Sequence, residues 1–316
     1  MATHTASKRQ RAAIANQQFE QGLVTATFGR HVSVLCDDGV SRLCHPRGKK
    51  NPAVVGDRVN WSLSTDQGTI ESVQTRRNLF YRQDDLRTKS FAANIDQIVM
   101  FLGAEPEFSD MQLSRALIAA QAERIKVIIV LNKYDLTDLF NKSWARLAPY
   151  RDMGVTVLPL SLNTELGFGM DALLPLLNKQ VSLVLGPSGA GKSTLINTLI
   201  PLATVYTQEI SRALNSGKHT TTSTTWYWLD DMHSGAIIDS PGFQEFGLHH
   251  IKAPDLGKWM PDISKHMGHC KFNNCTHVHE PGCPVQDAVH SGDINGNRYR
   301  IYQELFDFLD NIPTYR

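Results

Sequence analysis

Long hydrophobic runs are missing from this chain of 316 residues. The longest apolar stretches, such as residues 127–131 and 181–185, fall far short of the ~20 residues that a membrane-spanning helix needs, so we expect no membrane contact. Nor does an apolar segment follow the basic residues of MATHTASKRQRAAIANQQ, which argues against a secretory leader and for the cytosol. A dominant charge sign is absent as well: 32 Lys+Arg stand against 31 Asp+Glu, a formal net charge of +1. Cysteine is scarce, with five residues, an odd number that fits poorly with a disulfide framework. The 22 Gly and 14 Pro show no short period, and no solenoid-type repeat is visible, so collagenous and repeat architectures are excluded. What remains is an ordinary globular composition, 41% hydrophobic with mean hydropathy −0.26, long enough for two or three domains of ~100–150 residues each.

The near-neutral total hides a gradient. Residues 1–90 carry 14 Lys/Arg against 8 Asp/Glu, and the remainder reverses the sign, so the N-terminal part is a candidate polyanion surface. Residues 1–18 are polar, with Lys8, Arg9 and Arg11, and read as a mobile basic tail. β-rich runs follow at 23–28, 31–35, 41–44, 57–63 and 69–73, parted by Gly-containing turns, which predicts a small antiparallel barrel. An OB-type closure is one natural form, and such barrels often bind single-stranded nucleic acid. A spacer or protein-docking barrel is the alternative; Arg42, Arg47, Lys49, Lys50, Arg58, Arg76 and Arg77 favour RNA.

After Asn94 apolar runs at 98–102, 127–131, 155–160, 181–185 and 236–239 alternate with helical patterns, as in a mostly parallel α/β sheet whose ligand loops follow the strands. Gly186-Pro187-Ser188-Gly189-Ala190-Gly191-Lys192-Ser193 follows one such run and precedes Thr194 and a helical segment, matching G-x-x-x-x-G-K-[ST]. Its glycines allow backbone N–H groups to wrap a polyphosphate, Lys192 reaches the β/γ-phosphates, and the Ser193 hydroxyl ligates Mg²⁺. Asn132-Lys133-Tyr134-Asp135 suits guanine: the Asp135 carboxylate accepts from N1–H and N2–H₂, Asn132 reads the O6/N7 edge, and the Lys133 stem lies along the ring. Alone that tetrapeptide is equally a turn or cap; beside a phosphate loop it specifies GTP. Ser161-Leu162-Asn163 resembles the loop that closes over guanine O6 in such proteins.

Asp239-Ser240-Pro241-Gly242 fits D-x-x-G, with Asp239 in the Mg²⁺ shell and the Gly242 amide at the γ-phosphate. Between the two phosphate motifs lies Gly217-Lys218-His219-Thr220-Thr221-Thr222, where a switch loop supplies a threonine to Mg²⁺, Thr221 first and Thr222 second; apart from that position, a Thr-rich stretch is equally a β-strand or a solvated loop. Phe243 occupies the place where many GTPases carry a water-orienting Gln, which leaves His219 as the internal candidate for that task, with a plain surface histidine as the alternative. Asn132 precedes Gly186, whereas in ordinary small GTPases the phosphate loop comes first, so the unit is circularly permuted. Farther on, Cys270-x₄-Cys275-x-His277-x₅-Cys283 offers three thiolates and an imidazole, a closed structural Zn²⁺ set; His279 is the other possible fourth ligand. The open position of a catalytic zinc is not expected, and H-E-x-x-H is absent. Cys36 and Cys44 read as buried hydrophobes, and the apolar stripe Tyr299, Tyr302, Leu305, Phe306 and Leu309 as the core face of a helix.

The order NKYDL, GPSGAGKST, GKHTTT, DSPG and CKFNNCTHVHEPGC behind a small β-barrel resembles the RsgA family of ribosome small-subunit-dependent GTPases over nearly the whole chain. The resemblance implies a multidomain α/β protein with four parts: a basic tail (1–18), an OB-fold RNA-binding domain (19–85), a circularly permuted GTPase domain (86–247) and a zinc-finger domain (248–316). It further implies a cytoplasmic enzyme, expected to be a monomer. It would bind GTP/GDP with Mg²⁺, hold one structural Zn²⁺, engage the small ribosomal subunit and its rRNA, and hydrolyse GTP late in that subunit's maturation under its stimulation. The motif residues carry the same roles across. An RNA-binding scaffold that uses GTP only as a switch is the competing class. A metabolic P-loop kinase would not need the guanine loop or the zinc module.

Overall fold

In the computed structural model, which describes residues 19–48, 53–63, 67–83, 88–163, 167–201, 203, 224–240 and 247–312, the five β-runs form strands near their expected bounds. These are β1 (Glu20–Phe28), β2 (His31–Cys36), β3 (Ser41–Pro46), β4 (Arg58–Leu63) and β5 (Gly68–Val73). β1 pairs antiparallel with β2 and β4, β2 with β3, and β4 with β5, while β3 and β5 close the ring in parallel. The expected all-antiparallel barrel is thus corrected at one pairing, for a topological reason: a closed ring with an odd number of strands cannot alternate direction throughout. The result is the OB-type order. Alternate inward residues, Val24, Val34, Val59, Trp61 and Ile70, fill the barrel, and Trp61 places its indole N–H on the Gln21 carbonyl at 3.2 Å. Cys36 and Cys44 belong to the same core, and burial pushes both thiols up, Cys44 to about 11.

The chain divides into two compact units, Met1–Arg76 and Arg77–Arg316. The hairpin β6 (Leu79–Gln83) with β7 (Thr88–Ala93) falls in the second unit and is tied to later parts of the chain. Asn78 donates to the Ile95 carbonyl and accepts from its amide, and Gln83 bridges Leu248.

The second unit is built on β8 (Gln97–Gly103), β9 (Lys126–Asn132), β10 (Thr156–Pro159), β11 (Val181–Leu185), β12 (Thr225–Trp228) and β13 (Ala236–Asp239). Their order across the sheet is β10-β9-β8-β11-β13-β12, all parallel except β12, which runs against β13. Every residue of β8 is buried, as expected for a central strand covered on both faces. The chain leaves β8 towards β9 and β10 and returns on its other side as β11, so the switch point, where ligands bind in such sheets, lies between β8 and β11.

Helices α1 (Asp110–Ala122), α2 (Thr137–Arg146), α3 (Ala148–Asp152), α4 (Met170–Leu177) and α5 (Lys192–Leu199) connect the strands. After residue 247 come a 3₁₀ turn (Ala253–Trp259), α6 (Pro261–Ser264), α7 (Pro284–Ser291) and α8 (Gly296–Asp310). Asn295 caps α8, and Tyr302, Leu305, Phe306 and Leu309 are buried along its inner stripe, so that face is core. Arg298 on α8 is only 3% exposed; it pairs bidentately with Asp262 at 2.8 and 3.1 Å, donates to Ser114 of α1 at 2.7 Å and lies over the Tyr150 ring of α3. Among the described residues no helix is long and apolar enough to cross a membrane.

Candidate functional site

Because β8, β9, β11 and β13 are parallel, the loops at their carboxyl ends gather on one edge of the sheet. The loop after β11 is the phosphate motif, and two of its glycines are required by close approach. A Cβ on Gly186 would overlap the Phe101 carbonyl of β8, and one on Gly191, at φ +103°, would come within 2.6 Å of the Asn132 amide nitrogen. Ala190 is buried beneath the loop, whereas Ser188, Gly189, Ser193 and Thr194 are exposed, and Pro187 is half-buried. Lys192 opens α5 and curls back to donate to the Gly186 and Pro187 carbonyls, both at 2.8 Å. Burial pushes its ammonium below the usual lysine range, with Asp239 pulling the other way. Asp239, at the end of β13, shows the mirror image: burial pushes its carboxyl up to about 6 against the pull of Lys192. A half-buried ammonium beside a half-buried carboxylate fits a polyphosphate with a hard divalent cation.

The base motif follows β9. Asn132 is buried, and its side chain is engaged by protein at both ends: Nδ2 donates to the Ala190 carbonyl at 2.9 Å and Oδ1 accepts from the Leu162 amide at 3.2 Å. It therefore braces the phosphate loop against the 161–163 segment, with the second Nδ2 hydrogen not used in either bond. Lys133 turns through φ +70°, and Tyr134 donates its amide to the Leu160 carbonyl at 3.0 Å. Asp135 is exposed and accepts from the fully buried Ser161 hydroxyl at 2.8 Å, and the same hydroxyl accepts from the Asn163 amide at 3.3 Å. Ser161 in turn donates its amide to the Phe168 carbonyl at 2.9 Å. The three loops, after β9, β10 and β11, thus form one hydrogen-bonded constellation. The Ala190 carbonyl and Phe168 are parts of it that no motif marks.

At Asp239 the antiparallel partner is Thr225 of β12, a strand missing from the sequence expectation because Thr224 and Thr225 continue a Thr-rich stretch assigned to a switch loop. His219, Thr221, Thr222 and Gly242 lie outside the described residues.

The metal motif closes in space. One ligand atom from each of Cys270, Cys275, His277 and Cys283 lies within 4.8 Å of the others, and His277 Nδ1 is 3.4 Å from both Cys270 Sγ and Cys283 Sγ. Tetrahedral zinc with ~2.3 Å Zn–S bonds sets ligand atoms about 3.5–3.8 Å apart, so the set fits. His279 is exposed and outside the cluster, which resolves the fourth ligand in favour of His277. Burial pushes the Cys270 and Cys275 thiols up, the latter to about 12. Three further groups hold the loop. Glu280 accepts from the Thr276 amide and hydroxyl at 2.8 Å each, Tyr299 donates to the His277 carbonyl at 2.8 Å, and Tyr302 to the Thr276 carbonyl at 2.7 Å.

Comparison with known proteins agrees with this geometry. The family model described as RsgA GTPase matches residues 73–249. The protein named small ribosomal subunit biogenesis GTPase RsgA from Variovorax paradoxus is 60% identical over 289 residues, 90% of this chain and 91% of that one. The protein of the same name from Paraburkholderia xenovorans is 49% identical, covering 90% and 92%. Among solved structures, YjeQ from Thermotoga maritima superposes with a TM-score of 0.70 at 28% identity, covering 94% of this chain and 100% of that one. YloQ, titled a circularly permuted GTPase, gives 0.66 at 26% identity, covering 95% and 98%.

Proposed function

The chain belongs to the RsgA GTPase family and is a GTP-hydrolysing, circularly permuted enzyme; from that premise we propose that it acts on the small (30S) ribosomal subunit during late maturation, hydrolysing GTP to GDP and phosphate under stimulation by the subunit. The observation that carries this is the constellation around Asn132, which couples a phosphate loop to a guanine loop through the Ala190 carbonyl. Gly186 to Thr194 take the phosphates, Asn132, Lys133 and Asp135 the base, and the 161–163 segment its O6 edge. Ser193, Asp239 and Thr221 are the oxygen donors for Mg²⁺, which neutralises charge on the phosphates when bound. Zn²⁺ on Cys270, Cys275, His277 and Cys283 is structural. The barrel and the tail at 1–18 contact rRNA, residues 86–247 are the GTPase domain and 248–316 the zinc module, in a cytoplasmic monomer.

Phe243 cannot orient water, so slow intrinsic turnover is expected and His219 is assigned to that role once the subunit orders its loop. GTP turnover with and without purified small subunits tests the reading. We expect a rise mainly in kcat that His219→Ala loses while keeping GTP affinity and subunit binding. Equal turnover with and without subunits would reject stimulated hydrolysis, and full stimulation in the variant would remove His219.

A further inference from the structure

Tyr134 and Phe168 stand on different loops, the first within Asn132–Asp135 and the second at the end of the segment that begins with Ser161. Their rings stack at 4.4 Å between centroids with 21° between planes, although 42% and 41% of these residues remain exposed. Tyr134 has a fixed backing. It meets Phe140 of α2 edge-on at 4.9 Å, Phe140 stacks on Trp144 at 5.7 Å, and the Arg151 guanidinium caps Trp144 at 4.4 Å. Phe168 is tied through its backbone instead: its carbonyl accepts the Ser161 amide at 2.9 Å, two atoms' reach from the hydroxyl that holds Asp135. Gly169 then turns at φ +90°, where a Cβ would overlap the Pro159 carbonyl, so the neck of the segment is pressed against β10.

We propose that the Tyr134–Phe168 ring pair is a positioning device for base selection: it latches Phe168, and through the Phe168 carbonyl Ser161, onto the aromatic ladder of α2, so that Ser161 keeps the Asp135 carboxylate aimed at the N1–H and 2-amino edge of guanine. This rests on the reading of the site as guanine-specific. Neither ring needs to touch the base. Stacked pairs contribute ~0.5–1.5 kcal/mol beyond burial, which sets the ceiling of the effect near tenfold in affinity. The latch should act on one edge of the base. GDP offers Asp135 two donors; inosine diphosphate lacks the 2-amino group and offers one, so it has less to lose when the carboxylate swings free.

The test is equilibrium binding of GDP, inosine diphosphate and ADP to the full-length chain. Phe168→Ala should weaken GDP about five- to tenfold and inosine diphosphate less, lowering the ratio of their affinities, and Phe168→Tyr should restore that ratio. Ser161→Ala should lower the ratio too, and adding Phe168→Ala to it should lower it no further, as for two residues acting through one contact. A parent chain that prefers GDP while Phe168→Ala keeps its ratio, or loses both nucleotides equally, overturns the latch and leaves guanine recognition standing. A parent that binds GDP and ADP alike overturns the guanine reading itself. Because Phe168 is well exposed, its substitution spares the buried core, and an unchanged thermal midpoint verifies this.

Discussion

Asp135 is a short side chain at an exposed turn, and what makes it useful is the neighbour that fixes its direction. The fully buried Ser161 hydroxyl donates to one carboxylate oxygen at 2.8 Å, which leaves the other oxygen and the outward lone pairs for a ligand. Asp135→Asn replaces an acceptor pair with one acceptor and one donor. Hydrogen bonds to charged groups contribute ~1.5–3 kcal/mol each, so losing the match to N1–H and N2–H₂ should weaken GTP by about a hundredfold or more. Xanthosine triphosphate, whose C2 carbonyl can accept from the new amide, should gain. Competition binding of the two nucleotides checks both changes, and an unaltered GTP affinity would remove Asp135 from the base site. Asp135, Lys192 and Asp239 were legible as residue types at fixed spacings. The tie from Asn132 to Ala190 was not, since 58 residues separate a side chain from a backbone carbonyl and no motif records carbonyls.

At the scale of elements, the C-terminal part is held by two devices of different chemistry. One is the metal loop. Chelation should release about one equivalent of zinc and loosen residues 270–283, freeing the Tyr299 and Tyr302 hydroxyls from the backbone carbonyls they now hold, while nucleotide binding at the phosphate loop persists. Near-ultraviolet circular dichroism and a nucleotide titration on the same sample read the two effects. Loss of nucleotide binding in step with the metal would show that the loop is not a separate staple. The other device is Arg298, which sits with Asp262 at 4% and 8% side-chain exposure. Arg298→Ala strands a buried carboxylate and should cost about 3–5 kcal/mol, whereas removing both charges with apolar residues of similar volume should recover most of that. Urea denaturation of the single and double variants checks it. The strand bounds of the barrel and of the parallel sheet were visible in sequence because glycine turns and β-branched runs are local signals. Arg298 was not, because its partners Asp262 and Ser114 lie 36 and 184 residues away and a lone arginine in a helix reads as solvated. The strand Thr225–Trp228 carried a local signal in its Thr-Trp-Tyr-Trp run, but it was masked by the threonines before it.

At the scale of the molecule, charge balance decides what the N-terminal part can meet, and ion pairing decides which cations are free to meet it. Of the basic residues that favoured RNA, Arg42 is bound to Asp38 at 2.6 Å, Arg47 to Glu71 at 2.8 Å, Arg77 to Asp96 at 2.7 Å and Arg76 to Asp57 at 2.7 Å. Arg76 is the extreme case: Asp57 is wholly buried just before β4 and also accepts from the Val54 amide at 2.8 Å, so the partly exposed Arg76 is the counter-charge of a buried carboxylate. Arg58 is exposed, and Lys49 and Lys50 lie outside the described residues. We therefore expect Arg76 to support the barrel through Asp57 rather than to serve chiefly as an rRNA contact. If the basic part engages the subunit through phosphates, affinity should fall steeply with salt, and neutralising Lys49, Lys50 and Arg58 together should flatten that slope by about one for each phosphate no longer neutralised, with the fold intact. Arg76→Ala should instead leave Asp57 buried without its partner and destabilise the barrel by about 3–5 kcal/mol, weakening subunit binding only to the extent that the barrel unfolds. Subunit binding measured across salt concentrations, beside thermal unfolding of each variant, separates the two outcomes. A stable Arg76→Ala chain with a reduced salt slope would place that arginine on the phosphates after all, and a slope unchanged in the triple variant would move the polyanion surface away from the barrel loops and leave the basic tail as its remaining source.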